Sequence, residues 1–289
     1  MKIIVIGSTG QLGTDLMRVL GQDHEVVGLT HKEIEVTCPH SCKVLKMHNP
    51  HIVINTAAYV KVDQCEVEPE KAFAVNAIGA KNVTEASMEV GATTVFISTD
   101  YVFNGLKGQP YTEEDTPNPL NTYGISKLAG EFFTKQNPKH YILRVASLFG
   151  VVGASGKGGN FVETMIAKAK KNEPISVVDD MWISPTYTKD AALIIKKVLE
   201  LQLPYGIYHA TNKGYCTWFQ FADVIFKLTG INADLKPIKT DQLQIKAKRP
   251  LFSALKSIKL KEYGIKVRDW KHALRDYLIE KGHIKSASS

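Results

Sequence analysis

A chain of 289 residues, 44% hydrophobic and 22% charged, has room for one large α/β core and a smaller lobe, because single cores stop growing at roughly 250–300 residues. Its net charge of +7 comes from basic residues spread along the sequence, not gathered in one arm or stripe. That pattern argues against a nucleic-acid partner and suits a small ligand carrying several phosphates. No apolar run approaches the ~20 residues of a membrane span, so no membrane partner is expected.

Met1 and Lys2 run at once into the strand-like Ile3–Ile6, without the pattern of a secretory signal. Cys38, Cys42, Cys65 and Cys216 show neither Cys-x-x-Cys pairs nor zinc-type spacing. Both observations predict a cytoplasmic protein with reduced thiols, no disulfide and no structural zinc.

In chain order, short β-rich runs alternate with helix-length segments. Ile3–Ile6 precedes Leu12–Leu20, Glu25–Leu29 precedes Pro39–His48, and Ile52–Asn55 precedes Glu70–Val90. Thr93–Ser98 precedes Leu120–Lys135, and Tyr141–Val145 closes the series. The strands are continuous apolar runs, as expected when helices cover both faces of a parallel sheet. The predicted fold class is α/β, a Rossmann doubly wound parallel sheet.

Beyond Gly150 a Gly/Ser-rich stretch (153–159) leads to a helical segment Phe161–Lys171, a strand Ile175–Val178 and a helix Thr188–Leu201. Trp218–Leu228 and Trp270–Lys281 are the later helices. The expected division assigns 1–150 plus about 175–203 to an NAD(P)-binding Rossmann domain. About 151–174 plus 204–289 form a smaller α/β substrate-binding lobe, whose tail from His283 onward reads as disordered.

Gly7, Gly10 and Gly13 stand directly after the first strand, around Gln11 and Leu12, and open the first helix. In that context the glycines allow a tight turn, close approach of backbone amides to a pyrophosphate, and close helix–strand packing. The anion then sits at the positive end of the helix. After the second strand, Thr30, His31 and Lys32 stand where NAD enzymes often place an acid, and they favour the 2′-phosphate of NADPH. Glu35 is close enough to meet the ribose instead, which leaves NADH open; His31 and Lys32 read equally well as solvated loop residues.

Tyr123 and Lys127, four residues apart, share one face if their segment is helical. Ser98, Thr99 and Asp100 close a predicted strand at its C-terminal end, where open α/β sheets bind ligands. A phenol has an ordinary pKa near 10. A neighbouring ammonium and the positive nicotinamide of the oxidised cofactor are expected to lower it, while Thr99 holds a substrate oxygen in line with Tyr123. Trp182 is a candidate to stack on a sugar or base, or else a packing residue. Arg249 is a candidate to clamp a diphosphate, or else part of a solvated basic loop.

With these residues in place, the chain resembles the extended short-chain dehydrogenase/reductases, and within them the dTDP-4-dehydrorhamnose reductases, over nearly its whole length. The resemblance rests on Gly7–Gly13, Asn55–Tyr59 with Val62 and Asp63, Asn76 and Ala77, Ser98–Phe103, Tyr123–Lys127 and Leu128–Glu131. It continues through Asn160 and Phe161, Asp180, Ser184–Thr186, Tyr208 and His209, and Arg249, Pro250 and Ser253. It implies that Ala57, Ala58 and Tyr59 line the nicotinamide side of the cofactor and that Lys127 holds the nicotinamide ribose. It further implies that Thr99, Asp100 and Tyr101 stand at the substrate beside Tyr123, and that NADPH reduces the 4-keto group of a nucleotide sugar, dTDP-4-dehydro-L-rhamnose. Two positions depart from the family: Ser147 replaces a usual Trp, and Phe252 a frequent Asn.

Nucleotide-sugar epimerases and dehydratases of the same fold are the alternatives, together with a non-catalytic regulatory subunit resembling the methionine adenosyltransferase beta subunit. Dehydratases carry a Glu directly after Thr-Asp, where this chain has Tyr101. Asp15 matches a position used for metal-bridged dimers in some relatives. It leaves open a homodimer and a need for a divalent ion such as Mg2+.

Overall fold

The structure is a computed structural model that describes residues 1–153 and 159–286. Part of the predicted Gly/Ser-rich stretch (154–158) and the end of the tail (287–289) lie outside the described residues. Six parallel strands make the main sheet: β1 (Lys2–Ile6), β2 (Glu25–Leu29), β3 (Ile52–Asn55), β4 (Thr93–Thr99), β5 (His140–Val145) and β6 (Gly206–His209), in the order β6-β5-β4-β3-β1-β2. The order reverses beside β1, the switch point where open α/β sheets leave a crevice at the strands' C-terminal ends.

Continuous apolar strands make sense in this setting. Ile3 and Val5 pack with Leu12, Leu16 and Val19 of the Gln11–Leu20 helix and with Ile194, Ile195 and Val198 of the Thr188–Glu200 helix. Ile4 and Ile6 face the other way, onto Val36, Val83 and Ala86. Each strand therefore buries both faces.

The smaller lobe has its own core, in which Val162, Met165, Ile175, Phe221, Ile225, Trp270 and Tyr277 meet. Two strands differ from the sequence expectation. Ile175–Val178, assigned to the Rossmann domain, pairs with Leu235–Ile238 in the lobe. Gly206–His209, assigned to the lobe, is the sixth strand of the main sheet, in register with Tyr141–Arg144. A four-residue run containing Gly and His carries too little apolar pattern to announce itself as a buried strand. The tail expectation is corrected as well: His283 donates its backbone N–H to Leu278 and its ring meets Glu163, while Ile284 packs on the lobe core. No helix among the described residues is long and apolar enough to cross a membrane.

The segment read as one helix, Glu70–Val90, is interrupted. Pro69–Phe73 is followed by a π turn, Ala74–Ile78, before the Gly79–Glu89 helix. The π turn turns buried Asn76 toward the site, where its side chain accepts from Tyr59 N at 2.8 Å and donates to Tyr59 O at 3.1 Å and to Ser126 Oγ at 3.0 Å. π-bulges inside helices often mark functional sites.

Candidate active site

β1 ends at Ile6, and Gly7 turns the chain with a φ of +79°, where an added Cβ would lie 2.5 Å from Thr56 Oγ1. A Cβ on Gly13 would fall 2.1 Å from Gly7 O, so helix and strand touch only because both lack side chains. Gly10 caps the Gln11–Leu20 helix, and no side chain bonds the first amides. Uncapped amides at a helix N-terminus, inside a cradle that a Cβ would fill, fit the pyrophosphate of a dinucleotide.

From this cradle a groove runs past Gln11 and Leu12 to Thr30 and His31 on one side. On the other it passes Ala57 and Ala58 and ends at Tyr123 and Lys127. The sequence reading missed Thr9, Thr56, Ile34 and Val36, which also line it. Thr56 directly follows β3 and donates to Ile6 O at 2.7 Å, so its place at the strand end was the available signal.

Four predicted cofactor residues lie off the lining. Gly13 serves packing, and Lys32 is exposed. Glu35 turns back onto Thr37, accepting from its N–H at 3.0 Å and its hydroxyl at 2.9 Å. Tyr59 donates its phenol hydrogen to Glu68. The carboxylate that reaches Thr30 belongs to Glu33, 2.7 Å from Thr30 N.

β4 delivers the catalytic end. Thr99 donates to Asp100 Oδ1 at 3.0 Å and accepts from Tyr101 N at 3.2 Å. Asp100 Oδ2 accepts from Ser253 Oγ at 2.5 Å. Burial pushes the Asp100 carboxyl up to about 6, against the pull of these hydrogen bonds. Asn121 caps the Thr122–Thr134 helix by accepting from Gly124 N at 2.8 Å, which fixes Tyr123 in its first turn.

The half-buried Tyr123 ring meets Tyr101 edge-on at 5.9 Å between centroids. Burial raises its phenol, with the Thr99 hydroxyl acting in the opposite direction. Lys127 is 2% exposed; its Nζ donates to Ile97 O at 2.6 Å and lies 4.0 Å from the Phe96 ring centroid. Burial pulls Lys127 down to about 7, against the attraction of Glu131. In the absence of a cofactor, burial is therefore the largest influence on the Tyr123 phenol.

A second cavity, about 420 Å³, is lined by Gly105, Leu120, Ala247, Arg249 and neighbours. Arg249 donates to Asp63 Oδ2 at 2.7 Å, while its buried Nη1 has no hydrogen-bond partner among the described residues. A guanidinium on the wall of a cavity is suited to an anion. Trp182 lines neither cavity; it packs against Tyr215 at 5.7 Å and Phe252 at 6.0 Å, the packing alternative. Phe252 thereby belongs to an aromatic cluster, and Ser147 sits at a left-handed φ of +43° with its carbonyl accepting from Thr186 N.

Asp15 is engaged within the chain. One oxygen accepts from Arg18 at 2.7 Å, the other from Thr188 Oγ1 at 2.5 Å. Among the described residues no group of three or more His, Cys, Asp or Glu side chains gathers to hold a metal.

Comparison with known proteins fits this geometry. The family model described as the RmlD substrate binding domain matches residues 1–282. The chain is 41% identical to the spore coat polysaccharide biosynthesis protein SpsK of Bacillus subtilis, over 97% of this chain and 98% of that one. It is 34% identical to a dTDP-4-dehydrorhamnose reductase of Aggregatibacter actinomycetemcomitans, covering 95% of this chain and 97% of the relative. A crystal structure of dTDP-4-dehydrorhamnose reductase from Bacillus anthracis in complex with NADP superposes with a TM-score of 0.91 at 40% identity, covering 96% of this chain and 99% of that one.

Proposed function

The chain belongs to the RmlD substrate binding domain family, and from that membership we propose that it reduces the 4-keto group of dTDP-4-dehydro-L-rhamnose to give dTDP-L-rhamnose. The observation that carries the reading is one groove that joins a dinucleotide cradle at Gly7 and Gly10 to Tyr123 and Lys127 beside Thr99. NADPH, when bound, supplies the hydride for C4.

The chain's own residues do the rest. Tyr123, kept protonated by its burial, gives its phenol proton to the C4 oxygen as negative charge develops there. Thr99 holds that oxygen in line by turning its single hydroxyl hydrogen from Asp100, which takes it in the free protein, to the substrate. Lys127 binds the nicotinamide ribose and hands a replacement proton toward Tyr123; a lysine held near 7 can both give and take one at neutral pH. Arg249, tethered by Asp63 on the wall of the second cavity, offers its guanidinium to the diphosphate.

The relative named for polysaccharide biosynthesis suits a product that is a sugar donor. A cytoplasmic setting fits the free thiols of Cys38, Cys42 and Cys216. The test is an NADPH-oxidation assay across nucleotide 4-keto sugars, with dTDP-4-dehydro-L-rhamnose expected to be turned over best. A higher kcat/KM with a different base or sugar would reassign the substrate.

A further inference from the structure

Behind the Tyr123/Lys127 helix lies a charged pair that the mechanism above leaves unused. Glu131 follows Lys127 by one helical turn and is fully buried. Its Oε1 accepts from Ser98 Oγ at 2.6 Å and Arg144 Nε at 2.9 Å, and its Oε2 accepts from Arg144 Nη2 at 2.7 Å. Arg144, on β5, is 1% exposed and lies 5.1 Å from the Phe103 ring centroid. Stability alone does not account for such a pair, because a packed apolar pair in the same place is often as good or better.

Its position suggests another use. Ser98, which Glu131 holds, lies between Ile97, whose carbonyl takes the Lys127 ammonium, and Thr99. Both Glu131 oxygens are engaged, and among the described residues Lys127 forms no direct ion pair with it. The ammonium is therefore attracted without being captured, and it stays on the groove.

We propose that Glu131, restrained by Arg144, is a positioning residue for Lys127: its buried carboxylate attracts the ammonium without capturing it, and its bond to Ser98 fixes the strand end that the ammonium rests on. This rests on the reading of Lys127 as the residue that binds the nicotinamide ribose. The other polar groups facing the pair are few. Tyr123 stands one turn earlier on the same helix, and His209, at the end of β6, is kept neutral by burial that lowers it to about 4. Glu113 lies beyond it, accepting from His209 N. Glu131 is the charge that acts on Lys127 in the attractive sense.

The test measures NADPH affinity by fluorescence from pH 6 to 9, in the absence of any sugar, for the wild type, Glu131→Gln and the double variant Glu131→Gln with Arg144→Gln. Wild-type affinity should fall on the alkaline side as Lys127 loses its proton, and Lys127→Arg, which stays charged, should abolish that fall. Glu131→Gln should move the alkaline limb down by about one pH unit, so that binding at pH 7.5 weakens several-fold while binding at pH 6 is retained. The double variant, in which two amides can bond each other and Ser98, should shift the limb in the same direction by less.

An unmoved limb in the folded variants overturns the proposal, as does failure of both variants to fold, which makes the pair a stability device. If Glu131→Gln alone unfolds, the double variant decides. A protein showing the shift but reducing no 4-keto sugar would refute the proposed reaction and leave the role of Glu131 standing.

Discussion

Tyr123 and Lys127 face the same groove, yet burial acts on them in opposite senses, raising the phenol and lowering the ammonium. Removing the proton donor alone, by Tyr123→Phe, should cut kcat by about 10²–10⁴ while NADPH binding stays within about two-fold, as stopped-flow turnover and binding titration would show. Lys127 carries a stability cost whose sign follows from its shift. Its folded value of about 7 lies below the unfolded lysine value near 10.5, so folding favours the neutral form. The stability associated with that shift is present above about 10.5 and lost as pH falls toward 7. Lys127→Met should therefore raise the Tm of nucleotide-stripped protein by at least about 2 °C at pH 6, with the gain fading by pH 10. An unchanged or lower Tm at pH 6 would contradict this. At this scale sequence spacing was a good guide where the chemistry needs a fixed offset, as with Tyr123 and Lys127. It was poor where a side chain chooses among partners: Asp15 meets Arg18 and Thr188, Trp182 meets Phe252, and a single residue of loop separates Glu33, which reaches Thr30, from Glu35, which does not.

The elements proposed to carry the dinucleotide are the Gly7–Gly13 turn and the loop after β2. Gly7→Ala puts a Cβ 2.5 Å from Thr56 Oγ1 at a left-handed φ. It should weaken NADPH binding at least about ten-fold and lower the Tm, read by titration and thermal melting. In the second loop, Thr30 and His31 line the groove while the Glu33 carboxylate takes Thr30 N–H and the Thr30 hydroxyl. A negative charge there opposes a 2′-phosphate. Glu33→Gln should lower KM for NADPH by about two- to five-fold and leave KM for NADH nearly unchanged; equal effects on both would remove Glu33 from coenzyme choice. The parallel strands were legible because burial on both faces demands uninterrupted apolar runs. The π turn at Ala74–Ile78 was not, since it answers to the bonds of Asn76 with Tyr59 and Ser126, residues far away in sequence. Pairing partners of short strands such as Ile175–Val178 are likewise tertiary facts.

Across the whole molecule, three carboxylates of the Rossmann unit hold one segment of the lobe. Asp63 accepts from Lys246 N, Ala247 N and Arg249, Asp100 from Ser253, and Glu113 from Ser257 and Ile258 N. The second cavity lies along this seam, so its shape depends on both units. Asp63→Asn should loosen Arg249 and raise KM for the nucleotide sugar about ten-fold while NADPH affinity is retained; a parallel loss of both would mean global damage. The fate of the hydride separates a reductase from enzymes of the same fold that return it to the molecule it came from. Deuterated NADPH, with deuterium in the hydride position, mixed with purified protein and dTDP-4-dehydro-L-rhamnose should give one NADP+ per sugar consumed and a product carrying deuterium at C4. Turnover of the sugar with no net loss of NADPH and no label at C4 would contradict the account.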